Sequence, residues 1–220
     1  MTSRVDGRDS RWAQHRAQRR RELVDAALRA IRTHGPSVGM DDIASEAGTS
    51  KTVVYRHFGD RTGLYVAVVE SVDQRILDSL SAAMVDTDPD DATALVSAMV
   101  DAYLMLVEKD PEIYRFVVTR PLVYAPVNGD PVAGITDRIG AQVTRVLRSY
   151  LLRHGQDASC AETWGSGLVG FVRAAADHWL TNERPRPRAA VVADVTTLFA
   201  PAFNAIGATA YSPTPEHDED

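Results

Sequence analysis

Gly39-Met-Asp-Asp-Ile-Ala-Ser-Glu-Ala-Gly-Thr-Ser-Lys-Thr-Val-Val-Tyr-Arg-His-Phe58 is the stretch from which the fold can be read. Ile43, Ala44, Ala47, Val54 and Phe58 are apolar or small, at spacings that let two short helices pack on each other and on a preceding helix. These helices are expected at about Met40–Ala47 and Ser50–His57. Gly48 falls between them, and glycine accepts the left-handed backbone that a tight turn between steeply crossing helices requires. Ser50 stands where a side-chain oxygen can cap the second short helix. With Ser50 as cap, the exposed first turn presents Lys51, Thr52 and Val53, which suits insertion into a major groove. Tyr55, Arg56 and His57 follow, offering a hydroxyl, a guanidinium and an imidazole to phosphate oxygens, and Arg61 opens the next helix as a further backbone grip.

Working outward, the pattern stays helical and no alternating strand is found. Upstream, Leu23, Val24, Ala27, Leu28 and Ile31 share one face of a helix expected from Ala13 to His34, which Gly35-Pro36 ends. Residues 1–12 have little to bury and are expected to form a flexible basic arm. Downstream, Leu64, Val68, Val72, Ile76 and Leu80 recur every fourth residue, predicting a long helix from Arg61 to Ala83. An acidic linker, Asp86–Asp91, follows, so this long helix serves the domains on both sides of it. Five more helices are expected at about Asp91–Lys109, Pro111–Thr119, Pro131–Arg153, Ala158–Asn182 and Arg188–Ile206. Asp110-Pro111 and Asp130-Pro131 each place a capping carboxylate before a proline at the first helical position. The fold class is all-α, with about nine helices: a three-helix DNA-binding head with a helix-turn-helix, and a larger helical domain. Divided by function, the chain is read as the arm 1–12, a helix-turn-helix domain 13–60, an effector-binding and dimerisation domain 61–208, and a disordered acidic tail 209–220.

Charge supports a polyanion at one end. The chain carries a net −6, yet residues 1–62 hold 12 lysines and arginines against 8 aspartates and glutamates, and the remainder is strongly acidic. A single cysteine, Cys160, excludes an intramolecular disulfide and suits a reducing cytoplasm. No secretory segment is read at the start. The most apolar stretch, 189–210, carries Asp194, Pro201 and Asn204, so no membrane partner is expected. The six histidines lack metal-ligand spacing, and no phosphate loop or nucleophile motif occurs. No enzyme, metal or cofactor is expected.

The helix-turn-helix resembles the DNA-binding domain of the TetR family of bacterial regulators. The likeness lies in Asp42-Ile43-Ala44, the Glu46-Ala47-Gly48 turn, Ser50-Lys51 and Tyr55-Arg56-His57-Phe58 followed by Leu64, and it covers about residues 16–70. It implies phosphate contacts by Lys51, Tyr55, His57 and Arg61, base contacts from Thr52 and its neighbours, and a ligand-binding body that dimerises through its last two helices. Repression is the mode the resemblance implies; the residues themselves leave open an activator, or a DNA-binding module without a small-molecule effector. Gly39 departs from the pattern, standing where a threonine often contacts phosphate, with Ser37 nearby as a substitute.

The body reads as a sensor. Its first helix, Ala94 to Val107, is apolar nearly all round, and Met99 and Tyr103 are adaptable side chains suited to a pocket. Tyr114, Trp164, Phe171 and Trp179 complete the candidate effector pocket for a small hydrophobic ligand. The phrase Gly167-Leu-Val-Gly-Phe171 with His178-Trp-Leu180 resembles a TetR branch that senses acyl or other lipid-like ligands. The last helix is apolar on two sides. Leu168, Val191, Val195, Leu198, Phe199, Ala202 and Ile206 are the expected homodimer interface, which would place two reading helices on a palindromic operator.

Overall fold

The computed structural model describes the backbone of residues 7–118, 131–182 and 186–209, with side chains from Arg11 and, inside the seventh and ninth helices, only from Asp137 and up to Ala205. Every regular element among these residues is helical: α1 Gly7–His34, α2 Met40–Glu46, α3 Lys51–Phe58, α4 Arg61–Val85, α5 Ala92–Lys109, α6 Pro111–Val118, α7 Pro131–Arg153, α8 Ala161–Thr181 and α9 Arg188–Thr209. The chain divides into two compact units, one made of residues 1–72 and 110–132, the other of residues 73–109 and 133–220. Helix α4 therefore contributes its first half to one unit and its second half to the other. This division follows neither residue 60 nor the acidic linker, because the start of α4 and the whole of α6 pack with the head.

In the first unit, Leu23, Ala27, Leu28 and Ile31 of α1 are buried with Val38, Ile43, Ala44, Val54 and Phe58. Gly35 ends α1 with φ +81°, and its N–H donates to the Ile31 carbonyl (2.8 Å). Gly48, φ +59°, makes the expected turn between α2 and α3. Arg32 of α1 grips the Asp110 carboxylate with two N–H groups (2.6 and 2.9 Å), so the carboxylate expected to cap α6 is engaged by α1. The Tyr65 hydroxyl of α4 donates to the Val117 carbonyl of α6 (3.0 Å), and its ring lies 5.4 Å from that of Phe116.

In the second unit, α9 lies antiparallel along α5. Arg188 at the start of α9 donates to Asp101 (2.8 Å) and Glu108 (2.5 Å) toward the end of α5, while Asn204 donates to the Thr93 hydroxyl at the opposite end (3.0 Å). Tyr150 of α7 donates to the Phe203 carbonyl of α9 (3.2 Å). Helices α7 and α8 approach closely at Gly165, where an added Cβ would sit 2.5 Å from Thr144 Oγ1 and 3.0 Å from its backbone nitrogen. Asp73, at the point where α4 enters this unit, is the buried charged residue among those described; Arg138 of α7 binds its Oδ2, and its buried Oδ1 has no hydrogen-bond partner.

Two helix starts differ from expectation by three residues or more. Helix α1 starts at Gly7, six residues before the expected Ala13, so the second half of the expected arm is helical; residues 1–6 lie outside the described residues. Helix α8 starts at Ala161 and not Ala158, because Asp157 holds the backbone N–H and the hydroxyl of Ser159 in a local turn (3.0 and 2.5 Å). The expected Asp130 cap and the acidic tail from residue 210 also lie outside the described residues.

Candidate nucleic-acid interface

Helix α3 owes its orientation to two buried side chains, Val54 and Phe58, which face the head's core. Because 54 and 58 are one turn apart, the opposite side of the helix is left to solvent. There Lys51, Thr52, Tyr55 and Arg56 are exposed, with Val53 and His57 half-buried at the edges. Lys51, Thr52, Tyr55 and Arg56 thus share the solvent side of α3, with Ser50 at its N-cap and Arg61 apart from it at the start of α4.

Their local chemistry is more specific than the sequence indicated. Ser50 occupies the N-cap position with extended backbone, φ −94° and ψ 155°, but its side chain makes no capping hydrogen bond. The expected cap is therefore positional only, and the hydroxyl is left for another partner. Lys51 forms an ion pair with Asp41 of α2 (2.6 Å); both side chains are well exposed, so the pair is worth less than about 1 kcal/mol and yields readily to a phosphate. Arg61 is exposed at the start of α4, and one of its N–H groups donates to the Val38 carbonyl (3.2 Å), which ties α4 to the loop before α2. Gly39, at the N-cap of α2, receives the Asp42 carboxylate on its own N–H (3.1 Å), while Ser37 is exposed beside it.

Arg20 was not singled out from the sequence. Its guanidinium stands 4.5 Å from the centre of the Phe58 ring, and Nη1 donates to the His57 carbonyl (2.9 Å). It joins α1 to the C-terminal end of α3. The available signal was its place three residues before Leu23, on the turn that precedes the core-facing stripe. Partial burial, then the charges of Arg56, Arg19 and Arg20, hold the His57 imidazole below its ordinary pKa. The end of α3 is consequently a cluster of positive charge, the condition that favours a polyanion.

The body's candidate residues are more scattered. Met99 and Trp179 are buried, Tyr103 and Trp164 half-buried, all in the second unit, whereas the half-buried Tyr114 belongs to the first. The Trp179 indole donates to the Arg186 carbonyl (2.7 Å) and so fixes the segment before α9. Phe171, expected in the pocket, is 41 % exposed and meets Phe199 edge-on at 5.1 Å, which puts it on the α8–α9 surface. Among the expected interface residues, Leu168, Val191 and Val195 are buried within the protomer. Leu198 is 58 % exposed, Ala202 is exposed, Phe199 is half-buried, and the Ile206 side chain lies outside the described residues. The stripe drawn from Val191 to Ile206 straddles the margin of the buried arc. That arc runs through Val192, Val195 and Phe203, whose ring lies 5.9 Å from that of Trp164 of α8, so Leu198 and Ala202 are left on the exposed side. Arg186 and Arg188 are both committed to carboxylates, Asp194 in one case and Asp101 with Glu108 in the other.

The order of these parts, a three-helix head with a charged reading helix followed by a helical body, is matched by known families at both ends. Residues 23–68 match the family described as bacterial regulatory proteins, tetR family, and residues 79–214 match the tetracyclin repressor-like C-terminal domain. The chain belongs to the TetR family. It is a DNA-binding transcriptional regulator of TetR type. An uncharacterised HTH-type transcriptional regulator of Mycobacterium tuberculosis (strain H37Rv) is 36 % identical over 185 residues, covering 84 % of this chain and 77 % of the relative. The HTH-type transcriptional activator FasR of Mycolicibacterium smegmatis is 32 % identical over 176 residues, covering 77 % and 76 % respectively. Among solved structures, the transcriptional regulator FadR of Bacillus subtilis, in complex with stearoyl-CoA, shares the fold with a TM-score of 0.59 at 15 % identity, covering 80 % of this chain and 95 % of that one. Among the described residues no helix is long and apolar enough to cross a membrane.

Proposed function

We propose that this TetR-family protein is a cytoplasmic, ligand-responsive repressor that binds a palindromic operator as a homodimer and changes its affinity when a small hydrophobic effector enters the second unit. The observation that carries the DNA half is the division of α3, with Val54 and Phe58 buried and Lys51, Thr52, Tyr55 and Arg56 turned to solvent. Thr52 and Val53 face base edges; Ser50, Lys51, Tyr55, Arg56, His57 and Arg61 hold the sugar-phosphate backbone.

The exposed apolar side of α8 and α9, carrying Phe171, Leu198 and Ala202, supports the dimer. Gly167 and Gly170 lie on α8 with open space where a Cβ would be, which permits close approach of a second copy. The effector half is supported by α5, which buries Leu95, Val96, Met99, Val100 and Leu104, and by Tyr103, Trp164 and Trp179 in the same unit. The stearoyl-CoA held by the similarly folded FadR fits a hydrophobic ligand class. Coupling runs through α4, which belongs to both units, and a differential affinity of about 1–3 kcal/mol would change operator binding roughly 5- to 150-fold.

The test is fluorescence anisotropy on the DNA flanking the protein's own gene across a salt series, beside a Lys51→Ala, Tyr55→Ala, His57→Ala variant. Selective binding with a steep salt slope, flattened by about 0.9 for each phosphate the variant no longer neutralises, supports the reading. Unselective binding that the variant leaves unchanged refutes it. The name of FasR favours a second reading, activation, since a 32 % identical relative is an activator. Transcription from the bound promoter separates the two: adding the protein lowers transcript under the first and raises it under the second.

A further inference from the structure

We infer that the N-terminal turns of α1 are a second DNA-binding element, in which Arg11, Trp12 and Arg16 engage the sugar-phosphate backbone of the duplex flanking the half-site read by α3. This rests on the operator-binding reading above and extends it to a surface outside the helix-turn-helix.

The head does not need these turns. Core burial in α1 begins at Leu23, and every residue from Arg11 to Gln18 is exposed, including Trp12 at 67 %. An indole is rarely left so open without a partner. The chemistry around it is one-sided: from Ser10 to Arg21 the sequence contains five arginines and His15, and no carboxylate. An exposed stretch that carries Arg11, Trp12, His15 and Arg16 among alanines and glutamines suits a polyanion with flat apolar sugars between its charges, while Arg19 beyond it is paired with Glu22 (3.0 Å). Guanidinium groups take phosphate oxygens, and an indole offers an N–H donor and no acceptor.

Position selects DNA over other polyanions. Arg20 fixes α1 against the end of α3 through the His57 carbonyl (2.9 Å) and the Phe58 ring (4.5 Å). Arg16 and Trp12 lie about one and two turns before Arg20, about 6 and 12 Å further along the helix and displaced around it by roughly 40° and 80°. They therefore continue outward from the phosphate-binding end of the reading helix. When α3 docks, its DNA is held beside α1 at high effective concentration, which no free acidic partner matches. The helix from Arg20 back to Gly7 is about 20 Å long, the rise of ~6 base pairs at 3.4 Å each.

The experiment uses the full-length protein and an operator selected from random duplexes. Two DNAs are compared, the minimal two-half-site duplex and the same duplex with ~6 base pairs added at each end. Wild type is expected to bind the longer DNA several-fold more tightly and with a steeper salt slope. An Arg11→Ala, Trp12→Ala, Arg16→Ala variant should bind the short duplex like wild type and lose the gain on the long one, its slope falling by about 0.9 for each phosphate left unneutralised. Trp12→Phe should also abolish a DNA-induced change in tryptophan emission that only the long duplex produces. If the flanks add nothing for wild type, or if the triple variant keeps the gain, the inference is overturned while α3 remains the reader. If poly-glutamate displaces the long-duplex gain at equal charge concentration, the element takes acidic chains in general and the assignment to DNA fails. Should wild type select no duplex at all, the operator-binding reading falls and takes this one with it.

Discussion

Helix α3 and helix α9 are both two-faced, yet one face of α3 declares its partner and neither face of α9 does. On α3 the solvent side carries a lysine, a threonine, a tyrosine and an arginine, a set that ordinary packing does not require and a phosphate backbone does. On α9 the buried side is valine, alanine and phenylalanine, and the exposed side sets Leu198 and Ala202 among Asp194, Thr197 and Asn204; the interior of a protomer asks for the same apolar residues as the interior of a dimer. Composition identifies a partner only where that partner's chemistry differs from the protein's own core. DNA satisfies that condition; a second copy and a hydrophobic effector do not.

The comparison breaks most visibly at Leu198. A Leu198→Glu variant places a charge on the exposed side of α9 without touching the α5 contact, so the protomer should fold while the dimer separates. Losing one of two linked reading heads should lower operator affinity by at least ~100-fold. Sedimentation measured beside anisotropy checks both, and a folded Leu198→Glu dimer with normal operator binding would show that the free face of α9 is not the interface.

The glycines of α8 sharpen the same distinction within one helix. Gly165→Val forces a side chain into Thr144, whose backbone cannot move aside cheaply, and should destabilise the second unit by about 1–3 kcal/mol in urea unfolding. At Gly170 nothing stands within 4 Å of the added Cβ, so Gly170→Ala should leave the protomer as stable or raise it by up to about 1 kcal/mol through helix propensity. Equal losses from both variants would mean that α8 is packed on all sides.

Most of the helical framework was legible because burial imposes periodicity. The apolar stripes in α1 and α4 and the Gly48 turn are physical requirements of packing and backbone geometry, and they appear where the sequence placed them. The early start of α1 was not legible, since residues 11–18 face solvent and residues 7–18 carry no apolar stripe in the sequence; once Leu23 to Ile31 pack, the helix can propagate outward through alanine, glutamine and arginine at little cost. The solvent-facing side chains of α3 could be named from the motif, while Arg20 could not, because its partners are a carbonyl and a ring nearly forty residues away. That Phe171 stands exposed and Val195 buried was not legible, because the angular margin between two largely apolar faces leaves little mark in the sequence. Asp73 was likewise invisible, an aspartate in a helix whose neighbours alone decide that it is buried.

Asp73 offers a smaller test of how far the body's interior differs from the head's surface. Burial pushes its carboxyl pKa up, and Arg138 only partly opposes this. A folded-state pKa above the unfolded one means that the native protein holds the proton more tightly. Stability from this group is therefore full below the unfolded value of about 3.9 and declines as pH rises toward the folded pKa. Asp73→Asn removes the charge and keeps the shape, so above that window it should be neutral or stabilising by about 1 kcal/mol, with the difference from wild type vanishing in acid. Urea unfolding across pH checks the sign. A variant that is destabilised at neutral pH would show that the pair with Arg138 outweighs the burial of the charge.

At the head, His57 should give the smallest effect, in the opposite sense. In the free protein its imidazole titrates below its ordinary value, for reasons of burial and neighbouring arginines. A DNA phosphate placed beside it supplies the anion that the free site lacks, raising the pKa on binding. The complex then takes up protons, so operator affinity should rise as pH falls from neutral and level off once the free protein's His57 is itself protonated. With at most one proton per half-site, the slope cannot exceed about one tenfold change in half-site affinity per pH unit, and partial coupling makes a few-fold change the expected result. His57→Gln should flatten the profile while keeping the helix exposed to DNA. An unchanged slope in that variant would assign the pH response to another group, and affinity that rises with pH in the wild type would place His57 away from the phosphates altogether.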